Sequence, residues 1–259
     1  MIAALPMYDF PWVRAATDRL WGIVRDALRE RGIGAPDALN RDREPRETWC
    51  DDRLLLGQTC GYPYWTRLRR DAEVLATPIY GFSGCEGPNH RSFLIARRDD
   101  PRTRLEEFRG DRAAVNGFDS NSGMNLFRAA IAPLAEGKPF FADVVETGGH
   151  ASSVGAVVEQ RADIAAIDCV TYALLARGAS QLMAATKIIG ETAASPALPF
   201  IVSRALPPET RAAARHALRE LPPIPELGLV GVAILSDTAY ARVAEIEAEA
   251  QALAYPRLA

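Results

Sequence analysis

Cysteine and histidine are scarce in this chain of 259 residues, which has four of the first and three of the second. No two of Cys50, Cys60, Cys85 and Cys169 form a Cys-x-x-Cys pair, and His90, His150 and His216 are scattered. That excludes the usual ligand spacing of a structural zinc site. Cys60 and Cys85 could pair in an oxidising compartment, but their spacing alone does not decide it. Taken singly, the cysteines fit small buried hydrophobes better than nucleophiles. No apolar run reaches the roughly 18–20 residues of a membrane span. The first nine residues carry neither a charged n-region nor a long apolar h-region. As written, the chain is expected in the cytoplasm, or in the periplasm if a leader lies outside this sequence. Positive charge is not in excess: 30 Lys and Arg face 33 Asp and Glu, for a net charge of -3. A sequence-independent nucleic-acid binder needs a basic face, so nucleic acid is not an expected partner. Gly-x-Ser-x-Gly is absent, as is an ordered Ser-His-Asp series, and hydrolase chemistry is weakly supported. No internal repeat occurs, and no cofactor is expected.

What is present is an ordinary globular composition, 48% hydrophobic and 24% charged, in a length that suits one large domain or two small ones. The chain is organised around 116–128, Asn-Gly-Phe-Asp-Ser-Asn-Ser-Gly-Met-Asn-Leu-Phe-Arg. A strand candidate at 112–116 runs into a polar turn, and a helix pattern comes at once after it. The first N–H groups of a helix lack partners within it and carry partial positive charge. Ser120, Asn121 and Ser122 add polar groups at that mouth, and Gly123 lets a ligand approach closely, as in an anion cradle. The same residues also suit a plain N-cap.

Strand candidates fall at 2–5, 54–56, 73–80, 92–97, 112–116, 140–145, 163–167 and 182–189, with helical patterns between most of them; the prolines of 196–199 break the chain before 200–203, and 229–235 is an apolar run. Residues 12–31 read as a helix with Trp12, Leu20, Val24 and Leu28 in its stripe. Residues 35–50 read as loop. The alternation suits parallel βαβ units. In such sheets ligands sit beyond the carboxyl ends of strands. Tyr8, Tyr62, Ser120, Ser122, His150 and Asp168 all come directly after a strand candidate. His150 stands after Gly148 and Gly149 at a helix start, where an anion would offset the positive helix end. As a plain capping or core residue it would look no different. Asp168 fits a ligand contact and a cap of the helix from Cys169 equally well.

Five stretches in this order resemble the phosphonate/phosphate-type solute-binding proteins of ABC importers. They are Gly-Gln-Thr-Cys-Gly-Tyr-Pro-Tyr (57–64), Asn-Gly-Phe-Asp-Ser-Asn-Ser-Gly (116–123), Gly-Gly-His-Ala-Ser-Ser-Val (148–154), Ala-Asp-Ile-Ala-Ala-Ile-Asp (162–168) and Ser-Pro-Ala-Leu-Pro-Phe (195–200). The resemblance implies an α/β, two-lobed, type 2 periplasmic-binding-protein fold. It implies a ligand cleft between lobes joined by two crossing strands. Lobe one would be 1–91 plus 193–259, and lobe two 92–192. It implies that Ser120, Asn121, Ser122, Gly123 and His150 grip an oxyanion, and that Asp168 is a carboxylate set near the amine of an aminoalkyl phosphonate. Tyr8, Tyr62 and Tyr80 would close the other side. Asn121 departs from the hydroxyl residue common at its position. The implied function is capture of a small anionic ligand, a phosphonate, phosphate ester or similar, for uptake or sensing. An ABC permease is a candidate partner, and monomeric behaviour is expected. The alternative is a cytoplasmic lyase or cofactor-biosynthesis enzyme on the same fold, using His150 and Asp168, with Cys60 as a further candidate. A ligand-free interaction module ranks below both, because the strand ends are so polar.

Overall fold

The apolar runs become strands buried along their whole length. Every residue of Leu54–Gln58 and of Ile164–Asp168 is buried, the pattern of an inner strand covered on both faces. The computed structural model describes residues 1–259. They divide into two units, each built around one five-stranded sheet. The first is Met1–Gly81, Glu86–Asn89 and Pro196–Ala241. The second is Phe82–Cys85, His90–Ser195 and Arg242–Ala259.

These bounds differ from the expected lobes chiefly at the C-terminus, where 242–259 belongs to the second unit. The reason is polar as much as apolar. The Asn125 amide donates to the Val243 carbonyl at 3.0 Å, and buried Arg128 donates to the Pro256 carbonyl at 2.9 Å. Arg128 also pairs with Glu247 at 3.3 Å. The Phe140 N–H reaches the Ala259 carbonyl at 2.6 Å. Leaving these groups unpaired indoors would cost more than the bonds themselves yield.

In the first unit the strand order is Ile2–Ala4, Leu54–Gln58, Phe200–Ser203, Ala72–Tyr80, Leu229–Ala233. Only the first pair is parallel; Phe200–Ser203 and Leu229–Ala233 run antiparallel to their neighbours. In the second unit the order is Asp143–Glu146, Arg112–Val115, Ile164–Asp168, Ser92–Arg97, Thr186–Glu191. Its first three strands are parallel, and Ser92–Arg97 is antiparallel to both of its neighbours. The expectation of parallel βαβ units holds for the three parallel strands and fails where Ser92–Arg97 and Phe200–Ser203 pass back through the sheets.

Helix Arg14–Arg29 buries Ala16, Leu20, Trp21, Val24 and Leu28 along one stripe. Burying each of its large side chains is worth about 1.5–3 kcal/mol. Trp12 lies outside this stripe: it is 41% exposed and stacks on Phe10, with centroids 5.0 Å apart. The stretch read as loop contains helix Pro45–Trp49, started by Pro45 and fastened by buried Trp49, whose indole N–H donates to the Gln58 carbonyl at 2.9 Å. Part of the expected strand 182–189 is instead the end of helix Ser180–Ala184. Phe140 and Phe141 are buried but precede their strand, packing edge to face at 5.0 Å.

Candidate functional site

Strand Arg112–Val115 delivers the chain into the polar turn, and Ser120 caps the helix beyond it: its hydroxyl oxygen accepts the Gly123 N–H at 3.0 Å. The first helical turn, Asn121–Asn125, is widened. The Asn125 N–H bonds the Ser120 carbonyl and the Leu126 N–H the Asn121 carbonyl, each five residues back. Such wide turns recur at functional sites, because they re-aim the groups at a helix start. Regular helix Leu126–Ala135 continues from it.

The four expected residues of this turn are all buried but not equivalent. The Ser122 hydroxyl meets His150 Nε2 at 2.8 Å, and the Ser122 carbonyl accepts from the Ser92 hydroxyl at 2.8 Å. Asn121, fully buried, donates to the Ser195 hydroxyl at 2.7 Å and accepts from Asn125 at 3.1 Å. At Gly123 the close neighbour is the protein itself. A Cβ there would lie 1.8 Å from Asn116 Oδ1 and 3.2 Å from the His150 ring. The absence of a side chain is therefore what lets Asn116 and His150 converge. Asn116 Oδ1 is buried without a hydrogen-bond partner, and an amide can turn either a donor or an acceptor toward a ligand.

His150 opens helix His150–Val158 and keeps partial exposure as a residue. Burial around its ring pushes the imidazole down to about 4; Asp168 opposes that shift and His90 reinforces it. His90 is the unexpected member of the group. It lies almost wholly buried with Nδ1 2.7 Å from Asp168 Oδ2. Burial alone would lower His90, but the Asp168 carboxylate overrides it and the net direction is up. Burial would likewise raise Asp168, yet His90 holds it below the usual carboxylate range. The other Asp168 oxygen accepts the Thr171 N–H at 2.8 Å, capping helix Cys169–Gly178. Asp168 is thus both a cap and half of a buried ion pair.

Ser122 and His150 stand at nucleophile-to-base distance. A triad would need a carboxylate to orient His150, and the two Asp168 oxygens are engaged by His90 and Thr171. No cluster of three His, Cys, Asp or Glu stands where it would hold a metal ion. What the group offers is hydroxyls, a neutral imidazole and a helix start, a set suited to holding an anion.

The first unit brings two of its three expected tyrosines together. Tyr8 ends the short turn Pro6–Tyr8, Tyr80 ends strand Ala72–Tyr80, and their rings meet edge to face at 5.5 Å. The Gln58 amide donates to the Tyr80 hydroxyl at 3.3 Å. With Leu5 and Phe200 they line a cavity of about 20 Å³, room for about one water. Tyr62 sits apart in the turn Gly61–Pro63 and is partly exposed. A recess of about 280 Å³ lined by Asp9, Arg14, Arg41 and Arg43 includes none of the expected site residues.

Asn116, Ser195 and His90 adjoin Gly123, Asn121 and Asp168 without being among the expected residues. Asn116 and Ser195 do lie inside the resembling stretches at 116–123 and 195–200. His90 comes after Pro88 and Asn89 with no local pattern, and only the fold brings it to Asp168.

The family profile described as "ABC transporter, phosphonate, periplasmic substrate-binding protein" matches residues 47–250. No curated protein sequence matches the chain. Among solved structures, the chain is similar to a binding-protein component of an ABC phosphonate transporter from Pseudomonas aeruginosa. The identity is 15%, covering 97% of this chain and 87% of that one, with a TM-score of 0.79. It is similar to PhnD1 from Prochlorococcus marinus, in complex with methylphosphonate, at 10% identity, 96% and 98% coverage and a TM-score of 0.73. A Xanthomonas citri protein bound to ATP gives 18% identity, 97% coverage of both chains and a TM-score of 0.69. At such identities the likeness is one of fold, the type 2 periplasmic-binding-protein fold.

Proposed function

The chain belongs to the family of periplasmic substrate-binding proteins of phosphonate ABC transporters, and from that premise we propose that it holds a phosphonate or a phosphate monoester at the helix start Ser120–Gly123. The family is one of solute-binding proteins and not of enzymes, and it implies a small ligand and an ABC permease as partner. The observation that carries the proposal is the 2.8 Å contact of Ser122 with a neutral His150 at the mouth of a capped helix. An oxyanion there receives the Ser120 and Ser122 hydroxyls, with His150 Nε2 behind the Ser122 oxygen. Ser120 caps through a lone pair, so its O–H remains able to donate. Asn121 supports the turn through Ser195, and Gly123 admits Asn116. Asp168 acts through its pairing with His90. Tyr8, Tyr62 and Tyr80 are the proposed contacts from the first unit, as the resemblance implies. The protein is proposed to act in the periplasm, as a monomer, without nucleic acid.

The test is a thermal-shift screen with methylphosphonate, inorganic phosphate, a phosphate monoester and a sulfonate, then calorimetric titration. A ligand at a hundred times its Kd adds about 2.7 kcal/mol of stability. The expected result is a raised Tm with at least one phosphonate or phosphate compound. Stabilisation by cations or neutral aromatics alone would overturn the reading.

A further inference from the structure

Cys85 and Cys169 are far apart in sequence, yet their sulfurs lie 3.4 Å apart in the second unit. Cys85 is partly exposed and Cys169 is buried; both are free thiols. Two separate features hold them in place. Cys169 starts helix Cys169–Gly178, and its N–H is anchored to the Arg91 carbonyl at 3.0 Å. Cys85 ends the segment Phe82–Cys85, which Gly84 allows to lie against the helix start. Gly84 has a φ of +85°, and a Cβ on it would lie 2.8 Å from Cys169 Cβ and 3.0 Å from the Phe93 ring. A residue with a side chain there would push the segment away from Cys169.

We propose that Cys85 and Cys169 are a redox-active pair that closes to an intramolecular disulfide by exchange with an external disulfide. A disulfide needs its sulfurs at about 2.05 Å, so the approach required is roughly 1.4 Å, within reach of side-chain rotation. Cys85 is the attacking thiol because solvent reaches it. The hydrogen bond from Cys169 also pulls its pKa below the ordinary thiol value. The Cys85 thiolate forms a bond to one sulfur of the external disulfide and expels the other as a thiolate. Cys169 then gives up its proton and attacks the Cys85 sulfur, expelling the second external thiolate. Each chain sulfur has lost one electron, and the external disulfide has been reduced to two thiols that carry the two protons away. The pair suits an oxidising compartment, where such bonds persist. It excludes the Cys60–Cys85 pairing left open by the sequence, since the sulfur facing Cys85 is that of Cys169. The bond would fasten Phe82–Cys85 to the residue after Asp168, stiffening the helix start beside the His90–Asp168 pair.

The test uses the full chain and oxidised glutathione, then denaturation, alkylation and mass spectrometry with peptide mapping. The expected result is loss of two hydrogens, alkylation of Cys50 and Cys60 only, and a cross-linked Cys85–Cys169 peptide. Gly84→Ala, provided it folds, should slow closure about tenfold to a hundredfold by misplacing the segment. Four alkylated thiols, a lasting glutathione adduct on Cys85, or a Cys60–Cys85 peptide would each overturn the proposal. These readouts need no phosphonate or phosphate ligand, so they stand apart from the test of solute binding.

Discussion

Replacing Ser120 and Ser122 separately by Ala distinguishes what each hydroxyl does, because the structure gives them different partners. The Ser120 hydroxyl accepts the Gly123 N–H at 3.0 Å. Losing that cap should cost about 1 kcal/mol of stability, a fall in Tm of roughly 2–4 °C for a chain of this size. Ser122 does not cap; its hydroxyl meets His150 Nε2 at 2.8 Å. Against an oxyanion, each hydroxyl forms a charge-assisted hydrogen bond worth about 1.5–3 kcal/mol. At 1.4 kcal/mol per decade, affinity for the best phosphonate or phosphate probe should fall about 10- to 150-fold in either variant. The two signatures therefore differ in combination: Ser120→Ala loses both the cap and affinity, whereas Ser122→Ala loses affinity without a cap. Differential scanning calorimetry of the free proteins and titration calorimetry with methylphosphonate or inorganic phosphate read the two halves. If the wild type binds one of these probes and Ser122→Ala binds it with unchanged affinity, the oxyanion does not sit at this helix start.

Titration of His150 should make the free protein gain stability with rising pH between about 4 and 6.5. There the unfolded chain binds the proton that the folded chain refuses, giving a slope of at most about 1.4 kcal/mol per pH unit. His90, whose folded pKa is raised, contributes in the opposite sense, losing its stabilisation only as pH climbs through that raised value. Urea midpoints across the range should show the low-pH slope in the wild type and a flatter one in His150→Gln; equal slopes would exclude His150 as its source. Gly123→Ala should destabilise by about 1–3 kcal/mol, because the new methyl falls on Asn116 Oδ1. Adding Asn116→Ala to that variant should recover most of the loss, and failure to recover it in a double-mutant cycle would mean that the clash lies elsewhere. Asp168→Asn should cost about 3–5 kcal/mol by leaving His90 buried without its carboxylate, and a urea midpoint within error of the wild type would refute the pairing.

Much of the framework could be read from patterns that are local. Strand Ser92–Arg97 falls where its apolar run places it, and His150 and Ser120 start helices as the turn chemistry before them suggests. What escaped the sequence is what depends on partners far along the chain. Helix Pro45–Trp49 lies in a polar, proline-bearing stretch and is fixed by the reach of Trp49 to Gln58. The assignment of 242–259 to the second unit hangs on Arg128 and Asn125, two buried polar side chains whose acceptors no periodicity reveals. The run 182–189 shows a different limit: a short apolar stretch fits a helix end as well as a strand, and only packing decides.

A neutral His150 with its Nε2 on the Ser122 hydroxyl has two ways to meet an anion. While the imidazole is neutral and accepts from Ser122, the Ser122 proton is already engaged. If an arriving oxyanion raises the pKa of His150, the ring takes up a proton and Nε2 becomes a donor to the Ser122 oxygen. The hydroxyl then turns its own proton to the ligand. The buried His90–Asp168 pair is nearly neutral as a unit, so it would neither fill the proposed anion site nor repel an anion there. It holds a compensated charge close enough to His150 to influence the ring. Binding and protonation are then linked, and a dianion should be favoured over a monoanion because it offsets the desolvation of His150 more fully. Calorimetry of phosphate or methylphosphonate binding in buffers of different ionisation enthalpy reads that linkage directly. Wild type should take up more protons per bound anion than His150→Gln, and equal uptake in the two proteins would sever the imidazole from the binding step.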